Sequence, residues 1–301
     1  MSSQKSQIKA IKELSKSGIV TLVLISVFAG YLIGQPGETE FQLRRMFLTL
    51  LGVLFLASGS SALNQIQERD IDAQMPRTAQ RPLPSGAISL FTATLFTTLC
   101  ISSGLALLAY LDIKLLALGA LAVLSYNGLY TLWWKKKWAY AAVPGAIPGA
   151  LPILMGHVAA TKSLWTPGGI YLFFILFFWQ MPHFWALALR YQADYQKGGF
   201  PVLPLKHGPY VTLKQIGIWC VAYLGLALIA PFFLKVRWIY LIPTLLMGIK
   251  VSLELLRFAK NPEGQLWLRF FLWVNFSLVI FLGAAVIDLW SIYLPIPHLT
   301  R

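Results

Sequence analysis

Apolar runs long enough to cross a bilayer follow one another along almost the whole chain, separated by short polar stretches. A helical crossing of the hydrocarbon core takes about 20 apolar residues, and backbone that faces lipid must satisfy its own hydrogen bonds, so each run is predicted to be a helix. Nine fit, at Gly18–Ile33, Arg45–Gln65, Leu90–Tyr110, Leu115–Trp134, Tyr140–Ala160, Gly168–Leu189, Leu213–Phe233, Tyr240–Leu256 and Leu266–Leu289. The pattern predicts an all-α fold, a polytopic membrane bundle of about nine transmembrane helices. One domain spans residues 18–290, between a polar segment at 1–17 and a tail at 291–301.

Composition agrees with a lipid bilayer as solvent. Of 301 residues, 57% are hydrophobic and only 12% charged, outside the range of soluble domains. A net charge of +14 would suggest nucleic acid as partner for a soluble protein. Here the basic residues are scattered between apolar runs rather than gathered in one patch, so nucleic acid is not expected and the charges report orientation. With the N-terminus inside, 17 Lys and Arg fall on the cytoplasmic face and 7 on the other, with Lys250 inside a span. The expected location is therefore the inner (plasma) membrane, with a cytoplasmic N-terminus. The first run is read as a retained helix, because Gln35-Pro36-Gly37-Glu38 after it lacks a small-x-small cleavage pattern. Cys100 and Cys220 lie in different apolar runs and read as structural thiols.

Two connecting stretches are longer than the rest, Gln67–Ser89 and Arg190–Thr212, and both fall on the cytoplasmic side of this topology. Asn64, Glu68 and Asp72 recur every fourth residue, so on a helix running out of the second span they form one stripe, and Asp70 lies off it unless the helix has ended. Hard oxygen ligands suit Mg²⁺, which is commonly shared between one or two carboxylates and substrate phosphates. Arg77 and Arg81 follow at once, and guanidinium groups pair well with phosphate oxygens. The second stretch repeats the mixture with Arg190, Asp194 and Lys197. Either cluster alone could be a solvated loop whose charges pair with each other or with headgroups. Together at one face they suit a metal–diphosphate, with the tail of an isoprenoid buried among apolar helices.

The implied chemistry is departure of diphosphate from an allylic carbon, and an aromatic lining would stabilise the resulting cation. Tyr126 and Tyr130 near the cytoplasmic end of the fourth span are the candidates, with interfacial anchoring as the plainer alternative. Lys135, Lys136 and Lys137 read as an orientation anchor from which one lysine, Lys135, could reach the diphosphate.

The strings Asn64-Gln65-Ile66-Gln67-Glu68-Arg69-Asp70-Ile71-Asp72, Met75-Pro76-Arg77-Thr78 and Arg81-Pro82-Leu83-Pro84-Ser85-Gly86 resemble the first Asp-rich motif of the UbiA superfamily of intramembrane prenyltransferases. Trp179-Gln180-Met181-Pro182-His183-Phe184-Trp185-Ala186-Leu187-Ala188-Leu189, Asp194-Tyr195 and Pro201-Val202-Leu203-Pro204 resemble the branch that farnesylates protoheme IX. The resemblance covers roughly residues 18–290. It implies farnesyl diphosphate as donor, Mg²⁺ as cofactor and a heme vinyl group as acceptor. The product would be heme O, with a heme A synthase or a terminal oxidase downstream. By position it assigns Asn64, Glu68, Asp72 and Asp194 to the metal–diphosphate and Arg77 and Arg81 to phosphate oxygens. Two positions depart from the pattern: Arg190 stands where the first acid of the second motif would fall, and Glu68 where Asp is more common.

Some residues carry a plain reading beside the functional one. His183, after Pro182, could face heme or satisfy carbonyls freed by a kink. Pro144, Pro148 and Pro152 imply close packing of the fifth span. Lys250 and Glu254, one turn apart, could pair or snorkel toward the interface, with snorkelling the expectation, and Asn275 is expected to bond between helices. A quinone-ring or chlorin acceptor, a transporter and a non-catalytic heme-binding assembly factor are the rival readings. The helix-six string opposes the first, and acids clustered at one face rather than at mid-bilayer oppose the second. An intact Asn64, Glu68 and Asp72 set opposes the third.

Overall fold

A computed structural model describes residues 2–35, 41–261 and 266–291, with side chains from residue 7 onward. Most of the predicted tail, and Pro36-Gly37-Glu38, lie outside them. An amphipathic helix α1 (Ser2–Leu14) precedes α2 (Ser17–Gly34), α3 (Leu43–Asp72) and α4 (Leu90–Leu111). Next, α5 (Ile113–Val123) passes into a π-helical segment (Leu124–Trp134) and the single turn α6 (Lys135–Lys137). Then follow α7 (Ala142–Thr161), α8 (Pro167–Arg190), the short α9 (Gln192–Lys197), α10 (Leu203–Leu228), α11 (Trp238–Lys260) and α12 (Leu266–Ser291). Among the described residues nine helical stretches are long and apolar enough to span a membrane.

Two of these depart usefully from the predicted ends. The second span does not stop at Gln65 but continues as helix to Asp72, which carries the polar stripe out of the membrane on a rigid rod. The seventh begins ten residues early, at Leu203. It is broken at Gly208, whose φ of 80° and ψ of 168° suit glycine alone, just before Pro209. The polar start predicted at 1–17 is helical over Ser2–Leu14. Ala10 and Leu14 are buried with Ala62, Ile88 and Ala93, while Ile8 and Ile11 face outward.

Helices pair as α3 with α4, α2 with α7, α7 with α8, α8 with α10 and α11 with α12. Burial between helices in lipid gains little from hydrophobicity, so close approach at small residues matters. Gly30 and Gly156 make the α2–α7 crossing, where an added Cβ would strike the carbonyls of Ile153 and Val27 respectively. Pro148 and Pro152 sit inside α7 without ending it. Its Gly149 leaves room for Gln180 of α8, whose amide donates to the Ala146 carbonyl at 3.0 Å. Close packing at this proline-rich helix is thus the observed arrangement. Ile242, Leu245, Leu246 and Ile249 of α11 are exposed, as a lipid-facing stripe should be.

Two other expectations need correction or extension. Lys250 does not snorkel away: Glu254 is buried and one of its oxygens receives Lys250, Arg257 and Arg269 at 2.9, 2.8 and 3.0 Å. An unpaired carboxylate there would be too costly, so three bases converge on it. Asn275 donates to the Phe271 carbonyl one turn back at 2.6 Å, and also meets His183 across the α8–α12 pair. Replacing Gly156 by Val should lower the melting temperature of the detergent-solubilised protein by several degrees, the signature of overpacking worth about 1–3 kcal/mol. Gly217→Ala, where the added atom meets nothing, should not.

Candidate active site

The last turns of α3 present Asn64, Glu68 and Asp72 inward, with Glu68 2% exposed and Asp72 fully buried. What faces them is the π-helical segment and the turn after it, in constant register. The Ser60 hydroxyl donates to Asn127 Oδ1, and Asn127 Nδ2 returns a bond to the Ser60 carbonyl at 3.0 Å. One turn on, Asn64 Nδ2 donates to Thr131 Oγ1 at 3.2 Å, and a further turn on Lys135 Nζ reaches both oxygens of Glu68 at 2.7 and 2.9 Å. Residues 60, 64 and 68 therefore meet 127, 131 and 135 as three rungs between parallel helices. The Thr131 hydroxyl donates in turn to the Tyr126 carbonyl five residues back, so the π-helical winding holds the middle rung.

The first long connection folds back over this ladder. Arg81 Nη1 pairs with Asp72 Oδ2 at 2.7 Å, and the Thr78 hydroxyl donates to the Asp72 carbonyl at 2.9 Å. Arg77, one turn before Arg81, instead reaches the second connection, with Nε 3.7 Å from Asp194 Oδ2 and its guanidinium over the Tyr191 ring. Gly198 packs against Met75, and Lys135 Nζ lies 4.4 Å from the centre of the Phe200 ring. The two stretches, more than 100 residues apart, therefore close over one polar end of the bundle.

One participant comes from a segment read only as an orientation charge. Lys16, between α1 and α2, donates from Nζ to Asn64 Oδ1 at 2.6 Å, from a left-handed backbone (φ 50°, ψ 51°) unusual outside glycine. Burial, aided by the positive charges of Arg81 and Lys135, pulls its ammonium down to about 7. Gln65 fixes the approach by donating to the carbonyls of Glu13 and Leu14 at the end of α1. Burial likewise pushes the Tyr195 hydroxyl up. No local signal in the sequence marks Lys16, Gln65 or Thr131 as partners of the acidic stripe, since each contact joins distant segments.

Several expected residues lie elsewhere. Helix α3 continues through Asp72, so Asp70 falls off the stripe, its side chain 85% exposed and paired only with Arg69. Arg190 is exposed and stacks on Tyr191 and Trp267, and Lys197 is exposed at the end of α9. Tyr126 and Tyr130, by contrast, stay at the site: they stack on each other at 6.0 Å between ring centres, and both lie within electrostatic reach of Glu68. His183 sits among Trp179, Phe184 and Phe271 on the α8–α12 side, with Nδ1 unpartnered among the described residues.

Three acids, each held by a base, gather at one end of the helical bundle. Among the described residues no three His, Cys, Asp or Glu side chains gather into a metal cage. The UbiA prenyltransferase family matches residues 23–276. The chain belongs to that family. Protoheme IX farnesyltransferase of Bdellovibrio bacteriovorus is 43% identical over 93% of this chain and 96% of its own, and that of Aquifex aeolicus 37% identical over 94% and 96%. The bundle superposes on a solved structure from work on digeranylgeranylglyceryl phosphate synthase in membranes, with TM-score 0.78, 21% identity, and coverage of 95% of this chain and 99% of that one. A UbiA homolog from Archaeoglobus fulgidus bound to GPP and Mg²⁺ gives TM-score 0.58 at 18% identity over 92% and 99%. The fold is that of the UbiA prenyltransferases, and the chain is a multi-pass membrane prenyltransferase.

Buried pairs answer for the site's rigidity. Lys135→Gln should cost about 3 kcal/mol by stranding Glu68, and adding Glu68→Gln should restore part of that loss, so that the two changes are clearly non-additive. Chemical denaturation of the three variants in detergent checks this, and additive losses would contradict the pair.

Proposed function

We propose that this UbiA prenyltransferase transfers a farnesyl group from farnesyl diphosphate to a vinyl group of protoheme IX, giving heme O and diphosphate. The observation that carries the donor half is the meeting of two distant acid–base stretches, with Arg81 on Asp72 and Arg77 on Asp194 side by side. The acceptor half rests on the 43% and 37% identity to proteins named protoheme IX farnesyltransferase.

In the reaction the allylic C–O bond breaks and its electron pair leaves with diphosphate. The vinyl π electrons then form the new C–C bond, and water captures the cation left beside the porphyrin, losing a proton. Arg77, Arg81 and Lys135 are arranged to exchange a carboxylate partner for a phosphate oxygen, so the leaving group meets fixed charge without reorganising solvent. Stacked Tyr126 and Tyr130 offer π faces to the allylic cation. His183, enclosed by aromatic rings and with an unpartnered Nδ1, is the candidate contact for heme.

Mg²⁺ fits the donor set. Asn64, Glu68 and Asp72 supply oxygens, and buried Asp72 Oδ1 has no partner among the described residues. Asp194 completes the set from the opposite stretch. When bound, the ion would neutralise charge on the departing diphosphate. The excess of Lys and Arg on this side of the spans supports the reading of an inner-membrane protein with its N-terminus inside and its site facing the cytoplasm.

Membranes carrying the protein, supplied with farnesyl diphosphate, Mg²⁺ and protoheme, should yield a more apolar heme on reverse-phase chromatography. Unchanged heme beside a prenylated benzoate ring would move the acceptor to a quinone precursor. Asp72→Ala should abolish turnover while the protein still inserts in the membrane, and full activity in that variant would remove Asp72 from the mechanism.

A further inference from the structure

The α1–α2 corner holds a second basic feature outside the ladder of rungs. A cleft of about 340 Å³ opens there, lined by Lys9, Lys12, Glu13, Lys16, Gly18 and Ile19. Lys9 and Lys12 stand three residues apart on one face of α1, Lys16 follows in the turn after it, and a single acid opposes them. Among the described residues the Glu13 carboxylate pairs only with Lys9, at 3.9 Å between two well-exposed side chains, which neutralises little. Lys12 has no ion pair among the described residues. The same corner is greasy: Ile8, Ile11 and Ile19 are exposed beside the lysines, the composition of a segment lying at headgroup depth.

Lys16 belongs to both places. It lines the cleft, and its ammonium touches Asn64 at the head of the acidic stripe. The side chain is thus a continuous link from the membrane-facing corner to the buried site. Its left-handed backbone and the Gln65 bonds to the end of α1 hold it in that position. A structural strap would not need a charged group delivered to a buried amide oxygen, since burying an ammonium is costly unless an anion repays it.

We infer that this cleft is an outer binding site for the diphosphate end of an amphiphilic prenyl donor, with Lys16 as the substrate-binding residue that joins it to the inner site. The assignment rests on the donor reading above but not on the identity of the acceptor. Lys9 and Lys12 meet the polyanion at the surface. Ile8, Ile11 and Ile19 leave its chain in contact with lipid, and Lys16 then trades Asn64 for a phosphate oxygen.

The test is the affinity of full-length protein in phosphatidylcholine nanodiscs for farnesyl thiodiphosphate, an unreactive donor analogue. Lys9→Gln with Lys12→Gln should weaken binding about fivefold and flatten its salt dependence, since two screened charges are lost. Lys16→Gln should weaken it tenfold or more, with most of the affinity returned by Lys16→Arg, as roughly expected for a charge-assisted bond. Exposed Lys260→Gln, at the end of α11, should leave it unchanged. Unaltered affinity in the Lys9 and Lys12 double variant, with melting temperature intact, overturns the inference. So does an effect seen only when phosphatidylglycerol is added, which would make the cleft a lipid headgroup site. Normal analogue binding without any heme product would instead defeat the acceptor reading alone.

Discussion

The polar end of this bundle depends on pairing each of its acids with a base brought from another part of the chain. Glu68 is held by Lys135, Asp72 by Arg81 and Asp194 by Arg77. A carboxylate taken out of water without a partner costs several kcal/mol, more than the packing of one helix end can offset. The acids therefore lock together elements far apart in the chain: the end of α3, the turn after the π-helical segment and both long connections. In the proposed reaction the bases that make the site rigid are the ones that turn from carboxylate to phosphate.

The same logic recurs away from the site. Glu254 gathers Lys250, Arg257 and Arg269 and ties α11 to α12. Buried Asp288 accepts the backbone N–H groups of Arg237 and Tyr240 at 2.7 and 2.9 Å, capping the start of α11 from α12. Each of these acids, like Asp72, keeps one buried oxygen with no hydrogen-bond partner among the described residues. The acidic stripe differs in that its bases come from the turn after the π-helical segment and from a long connection rather than from adjacent packed helices.

Much of this was legible in the sequence. Apolar run length marked most spans to within a few residues, the second and seventh excepted, because lipid leaves helix as the available solution, and the four-residue spacing of Asn64, Glu68 and Asp72 announced an inward stripe. Where α3 ends was not legible, yet it decides that Asp70 faces solvent. Lys135 was a candidate beside two identical neighbours, and only the π-helical winding selects it. No periodicity reports that winding, since it shifts the register by one residue per turn. Lys16 could not be found at all from local pattern: it reads as one more positive charge before a span, and its role comes from a left-handed turn and a contact 48 residues away. Arg190 and Lys197 show the converse, charges with suitable chemistry that stand exposed at the ends of α8 and α9.

The central claim is that the acids are already neutralised by protein cations, so that a divalent ion gains a place only when diphosphate draws those cations off. Binding of Mn²⁺ followed by electron paramagnetic resonance, with and without farnesyl diphosphate, tests it most directly. Little protein-bound Mn²⁺ is expected until the diphosphate is added, followed by near-stoichiometric uptake. Tight Mn²⁺ binding to the protein alone would contradict it.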